Sequence, residues 1–177
     1  MGKKVISIGL STKDIDRAIR EIEQYKKDFQ KKVELYRKRF AEEIGKIAQI
    51  GFDSSGVDDL LKGGTRKADV SVSVNDDGKI ALVIANGEDA VWCEFGAGVY
   101  YNGSVGSSPN PYGSEKGLTI GSYGKGHGQQ SVWGFYSDPE DKTTLVLTHG
   151  TQATMPMYRA VQEVVPRAVS LAREVFQ

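Results

Sequence analysis

The chain has 177 residues, no net formal charge and 39% apolar residues, which suits one domain, or one domain with an extension, and is not the composition of a disordered chain. Its single cysteine excludes an intramolecular disulfide and fits a reducing compartment, and no apolar stretch approaches the length of a membrane span. The charge is uneven: residues 1–50 carry 13 Lys/Arg against 8 Asp/Glu, and residues 51–100 carry 4 against 9, so a basic first third and an acidic middle can attract each other within one fold or between copies.

Val5, Ile6 and Ile8 predict a short strand. That apolar run is broken by Ser7 and Gly9 and stops at Ser11, too soon for a signal peptide, so a cytoplasmic product is expected. Ser11 is placed to accept the first free helix N–H groups, with Asp14 at the favourable positive end. Ile15, Ile19, Ile22, Phe29, Val33, Tyr36, Phe40, Ile44 and Ile47 then come at helical spacing and predict one long amphipathic helix over 11–50. Gly45 is expected to weaken this helix and Gly51 to stop it. A continuous helix here spans roughly 55 Å, more than a small sheet covers, so one end is expected to project or to meet a neighbour.

Val70, Val72 and Val74, then Ile80, Leu82 and Ile84, alternate around Asn75-Asp76-Asp77-Gly78 and predict a β-hairpin within residues 68–95. Ala90 to Phe95 is a short apolar run leading into Gly96-Ala97-Gly98. Residues 96–131 hold ten glycines and four tyrosines in 36 positions with no periodicity, which predicts a long mobile Gly/Tyr-rich loop. Residues 143–177 predict a strand with Leu145 and Leu147 on one face, then a final helix capped by Thr154, with Pro156 in its first turn and Pro166 as a kink or break.

Candidate chemistry is sparse. Gly121-Ser122-Tyr123-Gly124-Lys125-Gly126-His127-Gly128 offers backbone N–H groups and one cation to a phosphate, but lacks the phosphate-loop spacing and its Gly-Lys-Ser/Thr ending. A phosphate- or nucleic-acid-binding module built on Lys125 is the alternative reading. Cys93, His127 and His149 have no close pair of the kind zinc sites use, and Cys93 lies among Val91, Trp92 and Phe95, the setting of a buried inert thiol. Asp58-Asp59 and Asp76-Asp77 sit in polar, turn-like segments and are expected to be solvated. No catalytic residue, cofactor site or metal site is assigned. The basic helical face, including Lys31, Lys32, Arg37 and Arg39, is interleaved with acids, which argues for a solvated or subunit-contacting face over DNA contact. It is expected to lie near an acidic surface of a neighbour containing Asp58, Asp59, Asp76 and Asp77, with Tyr123, Trp133 and Tyr158 supplying apolar contact.

Two strings carry a resemblance: Trp92-Cys93-Glu94-Phe95-Gly96-Ala97-Gly98 and Thr148-His149-Gly150-Thr151-Gln152-Ala153-Thr154-Met155-Pro156-Met157-Tyr158-Arg159-Ala160. A Glu-Phe-Gly turn, a glycine-rich insert, and a small-residue and proline lead into a last helix resemble the neck and tail-completion proteins of long-tailed bacteriophages. In that family the turn often reads Glu-Phe-Gly-Thr-Gly; here Ala97 replaces the threonine. A Pro-x-Asp-Thr-Gly-x-Leu string of many relatives is missing, and Asp53-Ser54-Ser55-Gly56 loosely takes its place. The resemblance implies an α+β fold: a twisted antiparallel sheet packed by the long N-terminal helix and a C-terminal helix, in a single domain over 1–177. It also implies a non-enzymatic virion protein, made in the host cytoplasm and assembled into a hexameric ring. That ring meets a head-connector or stopper protein on one side and a tail-tube or terminator protein on the other, with no membrane partner.

Overall fold

The computed structural model describes residues 9, 11–99, 106–107, 110–115, 119–120, 130–136, 138, 140 and 142–177. The fold is α+β, with a long N-terminal helix, antiparallel strands and a helical C-terminus.

Helix α1 runs Thr12–Asp53. Ser11 starts it as expected, its hydroxyl accepting from the Asp14 N–H at 3.2 Å. It does not stop at Gly51. Ser54 closes it, donating its N–H to the Ile50 carbonyl, and Gly51 instead lies against Pro156, where a Cβ would come within 2.9 Å of the proline ring. Gly45 is likewise a contact position: a Cβ there would meet the Val74 side chain at 2.9 Å, so its absence lets the helix approach the sheet closely. The 42 residues extend roughly 63 Å. Apart from Ala18, the buried positions (Ala41, Ile44, Gly45, Ala48 and Phe52) all fall in the C-terminal part.

Among the described residues the strands form four two-stranded antiparallel ladders. β1 (Gly56–Asp59) and β2 (Gly64–Lys67) pair around a single 3-10 turn, Leu60–Lys62. β3 (Ser71–Asp76) pairs with β4 (Ala81–Asn86) from Ser71↔Asn86 to Asp76↔Ala81. The turn therefore falls at residues 77–80, slightly later than the sequence suggests. The two aspartates place it: Asp76 accepts from the Gly78 N–H at 2.9 Å, and Asp77 from those of Lys79 and Ile80 at 2.8 and 2.7 Å. Gly78 supplies the positive φ. Helix α2 (Asp89–Phe95) comes next. The strand predicted at Val5, Ile6 and Ile8 lies outside the described residues. So does most of the loop predicted at 96–131, including Tyr123 and Lys125. The described parts of that loop hold regular structure: β5 (Gly106–Ser107) pairs with β6 (Thr119–Ile120), and helix α3 covers Pro111–Glu115. β7 (Trp133–Tyr136) then pairs with β8 (Leu145–Thr148).

Helix α4 (Pro156–Val164) and helix α5 (Ala168–Phe176) are separated by a 3-10 turn at Val165–Arg167, the break that Pro166 requires. Ala160 and Val164 of α4 pack with Ile44 and Ala48 of α1 in one core cluster. Phe52, Val57, Ala68, Val70, Ala90 and Cys93 form a second, and Val72 and Met157 touch both. Helix α5 runs back along α1: the Tyr36 hydroxyl donates to the Ala168 carbonyl, and the Phe176 ring sits 5.6 Å from Phe29 and 6.3 Å from Tyr36. Beyond this cover α1 continues with Ile15, Ile19 and Ile22 exposed by 46%, 49% and 51%.

Candidate functional site

The two strings that carry the family resemblance fold onto each other. Helix α2 begins with Asp89, whose buried carboxylate takes both arms of the Arg66 guanidinium at 2.6 and 2.9 Å and the Asp69 N–H at 2.8 Å. This two-pronged pair ties β2 to α2 and fixes the helix direction. The helix ends at Gly96, which has φ +77° and ψ 160°, a region open only to glycine. A Cβ at Gly96 would also meet the Ala153 N at 3.2 Å.

Glu94 does not face solvent. It is 8% exposed, and its two carboxylate oxygens accept from the Met157 N–H at 2.9 Å, the Tyr158 N–H at 3.0 Å and the Asn110 amide at 2.7 Å. These backbone groups belong to the first turn of α4, where N–H groups have no partner within the helix. Glu94 thus caps α4 from across the fold, and the negative charge lies at the positive end of the helix. Thr154, the cap expected from sequence, serves elsewhere. Its N–H and hydroxyl both donate to the Cys93 carbonyl, at 2.8 and 3.3 Å, and its oxygen lies 2.7 Å from the Ser55 hydroxyl. Met155 occupies the capping position with φ +56°, rare for a side-chain-bearing residue, and is held there by its own N–H bond to Cys93. Burial is the largest influence on the Glu94 pKa and raises it; the three donors pull it back.

The remaining motif residues complete the junction. Pro156 is buried at the first position of α4, and the Tyr158 ring meets Tyr112 edge-on at 6.0 Å. Ala97 and Thr151 exchange two backbone hydrogen bonds of 2.8 Å. Trp133 donates its indole N–H to the Gly98 carbonyl at 3.0 Å, and a side chain at Gly98 would collide with that indole. Cys93 is 0% exposed. Its burial, together with the Asp89 carboxylate, pushes the thiol up to about 11, so it has little thiolate to offer as nucleophile or ligand.

Beside this clamp lies a cleft of about 840 Å³, bounded by β1, β2, α2 and the β7–β8 hairpin. Trp92, Trp133 and Phe135 give it aromatic walls, and Asp58, Asp59, Asp69, Glu88 and Asp89 face it along with Lys62 and Arg66. The acids are not equivalent: the expectation of a solvated pair is corrected at Asp58-Asp59, whereas Asp76 and Asp77 are exposed. Asp59 is buried and accepts from the N–H groups of Leu61 and Lys62. Asp58 accepts from the His149 N–H at 2.6 Å and lies 3.2 Å from its ring nitrogen Nδ1, joining β1 to the end of β8. Asp76 is bound within its own chain to Arg37 at 2.8 Å, so that part of the basic and acidic surfaces is matched internally. Lys32 reaches the Gln177 carbonyl at 3.3 Å, whereas Lys31 is exposed and forms no ion pair among the described residues.

Among the described residues no three His, Cys, Asp or Glu side chains converge as a metal centre requires. No family model, no curated protein and no solved structure matches the chain.

Proposed function

We propose that the chain is a structural virion protein of a phage or prophage, forming a ring at the head–tail junction or tail end and acting through subunit contacts. The observation that supports this most is the clamp. The Glu-Phe-Gly turn and the small-residue and proline string, which carry the family resemblance, meet residue by residue: Glu94 with Met157 and Tyr158, Ala97 with Thr151, Cys93 with Thr154 and Met155. Their chemistry is to lock α2 onto α4. A protein that works by geometry needs such a junction, because its surfaces must hold a fixed relation to one another. The surfaces left over are unlike: a projecting half-helix with exposed isoleucines on one side, and an acidic aromatic cleft on the other. Unlike surfaces join head to tail and close into rings. A head-connector or stopper protein and a tail-tube or terminator protein are the partners this reading expects.

The test is location. Particles released by inducing the strain that encodes the chain are labelled with a gold-conjugated antibody against it. Label at the neck or tail of tailed particles is the expected result. Tailed particles that lack the protein by both labelling and mass spectrometry would overturn the reading.

A further inference from the structure

We propose that the cleft between β1, α2 and the β7–β8 hairpin receives Lys27 and Lys31, on the solvent face of α1, from a second copy of the chain. This rests on the ring reading and names the surfaces that meet.

The cleft has the chemistry of a cation site. Its two own cations are already matched, Lys62 with Asp59 and Arg66 with Asp89. Among the described residues that leaves Glu88 with no ion pair, Asp69 with no contact pair but within the field of Arg66, and Asp58 beside His149. The walls are indole and phenyl surfaces, which attract an ammonium or guanidinium group held over a ring face. A volume of about 840 Å³ takes a few inserted side chains rather than a whole helix.

The matching cations are on the same chain. Lys26, Lys27, Lys31 and Arg39 of α1 form no ion pair among the described residues, although Arg37 and Lys38 beside them do. Lys27 and Lys31 are four residues apart and project together, on the side of α1 away from Phe29 and Tyr36, against which Phe176 of α5 packs. They cannot reach their own cleft. Lys31 stands roughly 33 Å along the helix from its end at Asp53, and β1, which forms the cleft floor, begins just after that end. A lysine side chain covers a small fraction of that distance. Lys27 and Lys31 can therefore meet the cleft acids only between copies. Because each copy presents one half of the contact at each end, the contact propagates head to tail.

Thiol crosslinking on the full chain tests this. Cys93 is buried, so single variants Glu34→Cys, on the same face of α1 as Lys27 and Lys31, and Leu61→Cys, beside the cleft residue Lys62, each present one reactive thiol and keep the charges that are proposed to meet. The two are mixed at low salt and treated with a short bis-maleimide, with folding checked by circular dichroism. Linked dimer from the mixture, none above background from either variant alone, and loss of the link in about 1 M salt, where charge is screened beyond roughly 3 Å, is the expected pattern. Glu34→Cys linking to itself as readily as to Leu61→Cys would overturn the proposal in favour of a symmetric contact. Absence of any link in the mixture would overturn it too, and gold labelling at the neck would still stand, so the two readings fail separately. A cleft that instead captures an unrelated lysine-rich peptide, read by tryptophan fluorescence, while copies of the chain do not link, would assign it to a foreign basic partner and overturn the second-copy occupant.

Discussion

Replacing Glu94 by alanine tests the clamp at its centre. The substitution strands two donors, the N–H groups of Met157 and Tyr158, and takes one acceptor from the amide of Asn110, which keeps its contact with the residue-94 backbone carbonyl. A buried donor left without a partner costs about 1–3 kcal/mol. Taking the low end for each, since water can enter the vacated space, gives a loss of about 2 kcal/mol. For a chain of this size that lowers Tm by roughly 4–8 °C. Glu94→Gln keeps one acceptor oxygen but turns an NH2 group toward a backbone donor, so it costs about 1–2 kcal/mol. Urea denaturation monitored by circular dichroism measures both, with the slope against urea unchanged if only the native contacts are altered. The pH dependence carries a sign. Burial raises the Glu94 pKa in the fold, so the wild-type protein loses part of its stability as pH rises from the ordinary glutamate value to the raised one. Glutamine has no such dependence, and the gap between wild type and Glu94→Gln narrows across that window. An alanine variant with the midpoint of the wild type would refute the assignment of Glu94 as the cap of α4.

The same contacts set three further outcomes. Gly96→Ala places a side chain in a glycine-only backbone region against Ala153 and should cost about 1–3 kcal/mol, read by the same melts; an unchanged midpoint would count against the Gly96 conformation. Cys93 should react with a thiol reagent only after unfolding, and Cys93→Ser should lose about 1–3 kcal/mol by burying a hydroxyl; rapid labelling of the native protein would contradict the burial. The Asp77 pKa is lowered, first by the Ile80 N–H and then by that of Lys79. The stability it contributes is therefore present above the ordinary aspartate value and lost as pH falls through the lowered one. Asp77→Asn should flatten the acid limb of a stability–pH profile, and a limb as steep as the wild type's would remove the turn from the account of acid sensitivity.

Elements that obey a simple period are legible in the sequence. The apolar stripe of α1 and the alternating valines of β3 announce their elements, because burying one face of a helix or strand leaves a regular trace. The β1–β2 hairpin leaves none. Its burial is achieved with Asp59, capping a turn, and with Arg66 paired to Asp89, so charged residues occupy positions that a period search scores as exposed. Helix α2 is seven residues long, too short for a run such as Ala90 to Phe95 to be told from a strand. The cap of α4 is hidden for a different reason. Local rules favour Thr154, two residues before Pro156, whereas the acceptor comes from a distant point of the chain. Two signs of it are present in the sequence. Glu94 is an acid inside an apolar run, which demands donors once buried. A proline opening a helix leaves the next N–H groups in need of an acceptor.

The fate of the motif residues bears on where assembly contacts are to be sought. Glu94, Gly96 and Pro156 mark the resemblance, and all three are consumed by internal contacts: a helix cap, a glycine-only bend and a buried first turn against Gly51. Substituting any of them would disturb the fold before it disturbed an interface, so loss of assembly in such variants says nothing about subunit contact. Arg37 and Asp76, also candidates for a contact between copies, are bound to each other. The informative positions are charges that form no ion pair among the described residues, Lys27 and Lys31 on α1 and Glu88 at the cleft. Exposed ion pairs add little to stability, so changes there should leave the folded chain intact while altering the rate and salt dependence with which copies meet. A pair of variants that keeps its melting behaviour and changes only its association therefore separates the assembly surface from the clamp that supports it.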